Sequence, residues 1–263
     1  MDKLNERIIQ AHSTSIKNIH IIEKTPSTMD LAKVVIQENS PTPALFIANE
    51  QTKTRGRFQR DYFAMKGKGI YMSALIQLDE TTNELPQYTV LAAVALVKAI
   101  EKLSNKRPQI KWVNDIYLNH KKITGILAEG ITSSTTNRLS HVIVGIGVNY
   151  QITQFPEEIA QKAGSLFEEN EEGIPSRNAL IAEIWNQFFE WLKKDYIAEY
   201  KKYSFVLGKK VVFEKKGVVY TGKAVDIDAK GELLVQTNSE LLRLSSGEIS
   251  LAEIDGVVYK KLE

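Results

Sequence analysis

No cysteine occurs in the 263 residues, which excludes a disulfide framework, thiolate metal sites and cysteine nucleophiles. Histidine is nearly as scarce. His12, His20, His120 and His141 show no i, i+4 pairing and no flanking ligands, so the sequence offers no zinc site. No stretch approaches the roughly 18 consecutive apolar residues that a membrane span needs. The polar start, Met1-Asp2-Lys3-Leu4-Asn5-Glu6-Arg7, lacks a signal-peptide core. Both the G-x-x-x-x-G-K-[ST] phosphate loop and the G-x-S-x-G hydrolase elbow are missing. Neither sign of charge dominates: 34 Lys and Arg against 32 Asp and Glu leave a net +2, which argues against bulk nucleic-acid binding. With 43% hydrophobic residues, the composition is that of a globular protein of one large domain, or one medium and one small. The cytoplasm is the expected compartment.

What positive charge there is collects in one place. Between Lys53 and Lys68 lie Lys53, Arg55, Arg57, Arg60, Lys66 and Lys68 against one acid, Asp61, and Gly67 and Gly69 close the segment. It has no apolar period of 3.6 or 2, so it reads as a loop. Arginines spaced two and three apart suit an anion, because guanidinium groups hold phosphate or carboxylate oxygens bidentately. A solvated basic surface loop is the alternative. Two further segments are candidates. Lys111-Trp112-Val113-Asn114-Asp115, with Lys122 and Gly125 beyond it, either lines a polar pocket or is an ordinary Asn-Asp turn with exposed lysines. Gly145-Ile146-Gly147-Val148-Asn149 allows close approach to a strand backbone but lacks the third glycine of a dinucleotide fingerprint.

Patterning predicts strands over 16–22, 44–49, 69–78, 110–112, 115–118, 122–129 and 141–148. A helix is expected from Ser27-Thr28 to Gln37, with Ser27 and Asp30 forming a capping box. A buried alanine-rich helix follows over 86–103, with Pro86 in its first turn. Asn119-His120-Lys121 is a hairpin turn, 132–137 a surface loop, and 176–203 one amphipathic helix. After Ser204, short strands punctuated by glycines at 208, 217, 222, 231, 247 and 256 suggest a small all-β barrel, with a domain boundary near 204.

In order and spacing, the segments resemble the biotin protein ligases. The matching residues are Ser27-Thr28, then Gln51-x-x-x-Arg-Gly-Arg-x-x-Arg60, Gly-Lys-Gly-Ile-Tyr-Met-Ser (67–73) and Lys-Trp-Val-Asn-Asp-Ile-Tyr-Leu (111–118). Lys-Ile-Thr-Gly-Ile-Leu-Ala-Glu (122–129), Gly-Ile-Gly-Val-Asn (145–149) and Gly-Glu-Ile-Ser (247–250) complete the set. The resemblance runs from about Ile16 to the end. It implies an α+β fold, a mixed β-sheet flanked by helices, with a catalytic domain over 1–204 and an SH3-like β-barrel over 205–263. The implied reaction joins biotin and ATP, with Mg2+, into biotinyl-AMP and pyrophosphate. Biotin then passes to one lysine of a biotin carboxyl carrier protein domain, of acetyl-CoA or pyruvate carboxylase.

The resemblance also implies roles. Ser27, Thr28 and Gln51 match positions around biotin's ureido ring, and Gly125 would lie beside biotin. Arg55, Gly56, Arg57 and Arg60 match the loop that orders over biotin and the adenylate, and Lys122 the lysine beside the reacting carboxylate and α-phosphate. Lys122 and the three arginines are the implied catalytic groups. Tyr62, Asn114 and Asn149 match adenylate-pocket positions. Asp115 matches a polar residue near the phosphates and their magnesium, with no metal site built from protein alone. Departures from the family pattern are Thr54 for a glycine, Tyr62 for a tryptophan, Met29 for asparagine or glutamine, and Val113 for proline. Many bacterial members begin with a helix-turn-helix domain of about 60 residues. Only some 15 residues precede the first predicted strand here, so a ligase that binds no operator DNA and no membrane is expected. A lipoate or octanoate ligase and a non-enzymatic biotin-binding protein are the alternatives. Dimerisation stays open, and a sheet edge at 145–149 is the expected partner surface.

Overall fold

A computed structural model describes residues 2–37, 41–78, 87–215, 217–245 and 249–251. Seven strands form the larger sheet: β1 (Asn18–Thr25), β2 (Ala44–Gln51), β3 (Ile70–Gln77), β4 (Gln109–Lys111), β5 (Asp115–Leu118), β6 (Lys121–Thr132) and β7 (Leu139–Val148). Their order is β1-β2-β3-β7-β6-β5-β4. β1 and β2 are parallel and the other neighbours antiparallel, giving the expected mixed sheet.

The two-residue strand period divides the apolar side chains between two faces. Leu45 and Ile47 of β2 join the main core with α3 (Tyr88–Leu103) and α5 (Arg177–Trp191). Ala44 and Phe46 join a smaller cluster with α2 (Thr28–Gln37). In α3 every residue from Val90 to Val97 is buried, as an alanine-rich helix covered on all sides requires. α2 starts where Ser27 Oγ accepts a hydrogen bond from the Asp30 amide at 3.4 Å, half of the expected capping box. The Asn119-His120 turn has φ of 49° and 63°, the left-handed pair that a two-residue hairpin requires.

Several expectations are corrected. The polar N-terminus carries α1 (Glu6–His12), capped by Asn5 and burying Ile9. The helix expected over 176–203 is two, α5 and α6 (Tyr196–Tyr203), because Asp195 Oδ1 accepts from the Ala198 amide at 2.9 Å and starts a new helix. A short α4 (Glu157–Ala160) was not foreseen. The segment 145–149 is not a sheet edge, since β7 lies between β3 and β6, with Val148 opposite both Ile70 and Thr124. Among the described residues the β6 ladder with β5 ends at Gly125, and beyond it Ile126 is still bonded to Asn114 on that side. Pro86, Gly247 and Glu248 lie outside the described residues, as does everything after Leu251.

The C-terminal strands β8 (Lys210–Lys215), β9 (Val218–Ile227), β10 (Leu233–Gln236), β11 (Leu241–Leu244) and β12 (Ile249–Leu251) form an antiparallel five-stranded sheet, ordered β11-β10-β9-β8-β12. This is the small SH3-like unit expected after 204. Its β9–β10 turn meets the larger sheet where buried Trp112 Nε1 donates to the Gly231 carbonyl at 3.0 Å. No helix among the described residues is long and apolar enough to cross a membrane.

Candidate active site

The face of the larger sheet that carries α2 is only partly covered. Along β7 that face runs Ile143, Gly145, Gly147. Ile143 packs in the cluster with α2, and over Gly145 and Gly147 the space a Cβ would take is occupied by Met29 and Tyr62. Gly147 is paired with Gly125 on β6, so the two make a flat floor. Above this floor lies a cavity of about 290 Å³. Its lining includes Ser27, Thr28, Gln51, Arg55, Gly56, Arg57, Arg60, Tyr62, Asn114, Asp115, Lys122 and Gly125. Residues from Ser27 to Gly125 thus face one space.

At one end, Gln51 Oε1 accepts from the Thr28 amide at 2.7 Å and caps the start of α2. Buried Thr28 Oγ1 and Ser73 Oγ share a hydrogen bond of 2.7 Å. Met29 extends along the wall over Gly145, whose added Cβ would lie 2.8 Å from Met29 Sδ. Where the resemblance implies asparagine or glutamine, this chain has an apolar wall packed on a glycine. The Lys33–Glu129 ion pair, at 2.7 Å, closes this end.

At the other end stands Lys122. Its backbone is held by the Lys162 carbonyl (2.8 Å) and the Gly164 amide (2.9 Å). Its Nζ lies 2.7 Å from Asp115 Oδ1. Among the described residues no hydrogen bond is aligned on that oxygen, so the contact is an ion pair. Arg57 Nη1 donates to Asn114 Oδ1 at 3.1 Å, and Asn114 Nδ2 donates to the Ile126 carbonyl at 3.0 Å. The loop is folded on itself by an isolated antiparallel backbone β-bridge between Arg55 and Asp61 and by the Gly56 amide donating to the Arg60 carbonyl at 2.8 Å. Thr54 Oγ1 donates to the Tyr62 carbonyl, which gives this departure from the family's glycine a use.

Tyr62 packs against the glycine pair: a Cβ on Gly147 would be 2.7 Å from its Cε1, and one on Gly125 would be 3.2 Å from its Cε2. Its hydroxyl donates to Asn149 Oδ1 at 3.1 Å. Desolvation there, with Tyr71 and Asp115 adding to it, pushes the phenol well above its ordinary value, so Tyr62 remains a donor. Asn149 does not line the cavity. It is buried behind Tyr62, where its Nδ2 donates to the Gly164 carbonyl at 3.0 Å. Sequence reading did not nominate Met29, Ser73, Gly147 or Trp112 as site residues. Gly147, Trp112 and Ser73 lie inside segments that carry the resemblance, but no role is attached to them there.

Among the described residues no group of three or more His, Asp or Glu side chains could hold a metal. Asp115 fits a magnesium ion carried by phosphates: it offers one carboxylate, and a hard cation of this kind takes its remaining oxygens from nucleotide and water.

Comparisons with known proteins agree with this architecture. A family model described as the Biotin/lipoate A/B protein ligase family matches residues 21–149, and one described as the Biotin protein ligase C terminal domain matches 206–252. Fold and matches together define a ligase. The bifunctional ligase/repressor BirA of Bacillus subtilis is 34% identical over 262 residues, spanning 95% of this chain and 79% of that one. The biotin–[acetyl-CoA-carboxylase] ligase of Mycobacterium tuberculosis is 27% identical, spanning 94% and 93%. The biotin protein ligase from Aquifex aeolicus, solved in complex with biotin and ATP, superposes with a TM-score of 0.76 at 28% identity, covering 90% of this chain and 99% of that one. The chain belongs to the biotin protein ligase family.

Proposed function

We propose that the cavity joins biotin to ATP as biotinyl-5′-AMP and then hands biotin to a lysine of a biotin carboxyl carrier protein domain. The observation that carries this is the polarity of one cavity. Thr28 and Gln51, bonded to each other beside Ser27, stand at one end, and Lys122 and Arg57, held by Asp115 and Asn114, at the other, with Arg55 and Arg60 also in the lining. Biotin has this polarity, with a neutral ureido ring at one end and a carboxylate at the other. The Aquifex aeolicus relative's complex with biotin and ATP supports the same pair of substrates here.

In the first step a carboxylate oxygen of biotin attacks the α-phosphorus. The new O–P bond forms as the bond to pyrophosphate breaks. Two anions must meet and a five-coordinate phosphorus must carry extra charge, so positive groups aimed at that point lower the barrier. In this reading Lys122 Nζ, paired with Asp115, comes between the carboxylate and the α-phosphate. Arg57, braced on Asn114, with Arg55 and Arg60 covers both from the loop. Magnesium at Asp115 would neutralise charge on the phosphates. The loop excludes water from the anhydride. In the second step the neutral amine of the carrier lysine attacks the acyl carbon, the new C–N bond forms as the acyl C–O bond breaks, AMP leaves, and the nitrogen gives up a proton to water.

The division at 204, into a ligase domain (1–204) and a small C-terminal domain (205–263), is part of the proposal. α6 ends at Tyr203 and β8 begins at Lys210, which supports it. No operator-binding role is assigned to residues 2–17, whose one helix packs on α5 through Ile9 and the Asn186 contacts to Thr14 and His12. The reaction is placed in the cytoplasm. The acceptor is the carrier domain of a biotin-dependent carboxylase, acetyl-CoA or pyruvate carboxylase. The test supplies labelled biotin or lipoate with ATP, magnesium and a purified carrier domain, and reads mass on the carrier lysine. Biotin transfer is expected. Lipoate transfer, or tight biotin binding with no transfer, would overturn the proposal.

A further inference from the structure

A buried cation lies below the cavity, outside the groups that face it. Arg177, the first residue of α5, is 3% exposed. Its Nε donates to Asp2 Oδ1 at 3.1 Å and its Nη2 to the Asp2 carbonyl at 2.6 Å. Its Nη1 turns the other way, to Asn49 Oδ1 at 3.4 Å and the Gly69 carbonyl at 3.3 Å. Asn178 fixes the same N-terminal segment: its Nδ2 donates to Asp2 Oδ2 (3.2 Å) and the Lys3 carbonyl (2.9 Å), and its Oδ1 accepts from the Asn5 amide (2.8 Å). One guanidinium therefore ties the N-terminal segment to Asn49 and Gly69.

Those two residues are the root of the cationic loop. The Asn49 carbonyl accepts from the Gly67 amide at 3.0 Å, and the Lys68 carbonyl accepts from the Gln151 amide at 2.8 Å. Tyr71 folds its hydroxyl back to the Met65 amide (2.8 Å) and carbonyl (3.0 Å), across Gly69, where no side chain would fit. The segment between β2 and Gly67 carries the loop's arginines and Tyr62 to the cavity. A guanidinium this deeply buried needs a carboxylate to offset its desolvation, and Asp2 is the one it is paired with.

We propose that Arg177 is a positioning residue for the cationic loop, and that Asp2 is the counter-charge that holds Arg177 in place, so the N-terminal segment sets the root from which the loop reaches over the substrates. The link to catalysis rests on the function proposed for the loop; the clamp on its root does not. Two variants of the full chain test it. Asp2→Asn keeps the shape and removes the counter-charge. Arg177→Lys keeps the charge but cannot span Asp2, Asn49 and Gly69 with one ammonium. The readouts are amide hydrogen exchange at Gly67 and Lys68, with α3 amides as the internal reference, and the release rate of biotinyl-AMP.

In both variants exchange at the root should quicken by about tenfold while α3 stays unchanged, because a local opening is made easier without global unfolding. Biotinyl-AMP should be released several-fold faster. Root exchange equal to that of the parent protein, or acceleration shared equally by α3, would assign Arg177 to general stability and overturn the proposal. A loosened root with unchanged release would also overturn it. If no adenylate forms even in the parent protein, the fault lies with the proposed reaction, and the exchange measurement still decides the clamp.

Discussion

Gly147→Ala is the substitution whose outcome the geometry fixes most tightly. The new Cβ would lie 2.7, 2.8 and 2.9 Å from Cε1, Cζ and Oη of Tyr62. Carbon contacts settle at about 3.5–4.0 Å, so the ring must retreat by roughly 1 Å. That breaks the 3.1 Å hydrogen bond to Asn149, which costs about 0.5–1.5 kcal/mol. Overpacking in a closed core would add about 1–3 kcal/mol. Here the ring borders a cavity and can swing into it, so the sum should stay near the lower end, about 1–2 kcal/mol. Gly125→Ala, with its nearest Tyr62 contact at 3.2 Å, should cost less. Urea unfolding of Gly147→Ala, Tyr62→Ala and the double variant forms a cycle that isolates the contact. If Tyr62 is what the glycine makes room for, Gly147→Ala should cost little in the Tyr62→Ala background. An equal cost in both backgrounds would refute the claim that the floor is kept bare for this ring.

Other substitutions probe the cationic end and the sheet. Lys122→Ala should lower biotin-dependent ATP–pyrophosphate exchange by about 100-fold or more with biotin affinity near normal; unchanged turnover would remove Lys122 from the chemistry. Arg57→Ala should leave the fold intact but cut the charged hydrogen bond to Asn114, and a labelled biotinyl-AMP release assay should show escape faster by about tenfold. Retention as long as in the parent protein would mean the loop is no lid. Burial holds the His141 imidazole below its ordinary value of 6.5, so the unfolded chain takes up that proton first. Stability should therefore decline as pH falls through about 6.5, and less steeply in His141→Gln; identical slopes from pH 7.5 to 5.5 would clear His141 of this effect.

What could be read from sequence followed the range of the forces involved. The α3 helix was legible because an alanine-rich apolar run of that length has few other solutions, and the Asn119-His120 turn because its residue types tolerate positive φ. The break between α5 and α6 was not. Leu192 continues the apolar period of α5, and the restart depends on Asp195 capping Ala198. Proximity of Asp115 and Lys122 was implied by the hairpin between them. The seat of Tyr62 was hidden, because it needs the Gly125–Gly147 register, a pairing across 22 residues. The same non-local pairing placed β7 inside the sheet, against the expectation of an edge. Asn149, expected in the adenylate pocket, stands behind Tyr62 for the same reason.

The most direct test of the site is a crystal structure of the protein with biotinyl-AMP or a stable analogue. The acyl-phosphate linkage should lie within about 3 Å of Lys122 Nζ, with the ureido ring at Thr28 and Gln51 and the 55–60 loop above it. A ligand bound elsewhere, or in the cavity with Lys122 still paired to Asp115 and turned from the linkage, would contradict it.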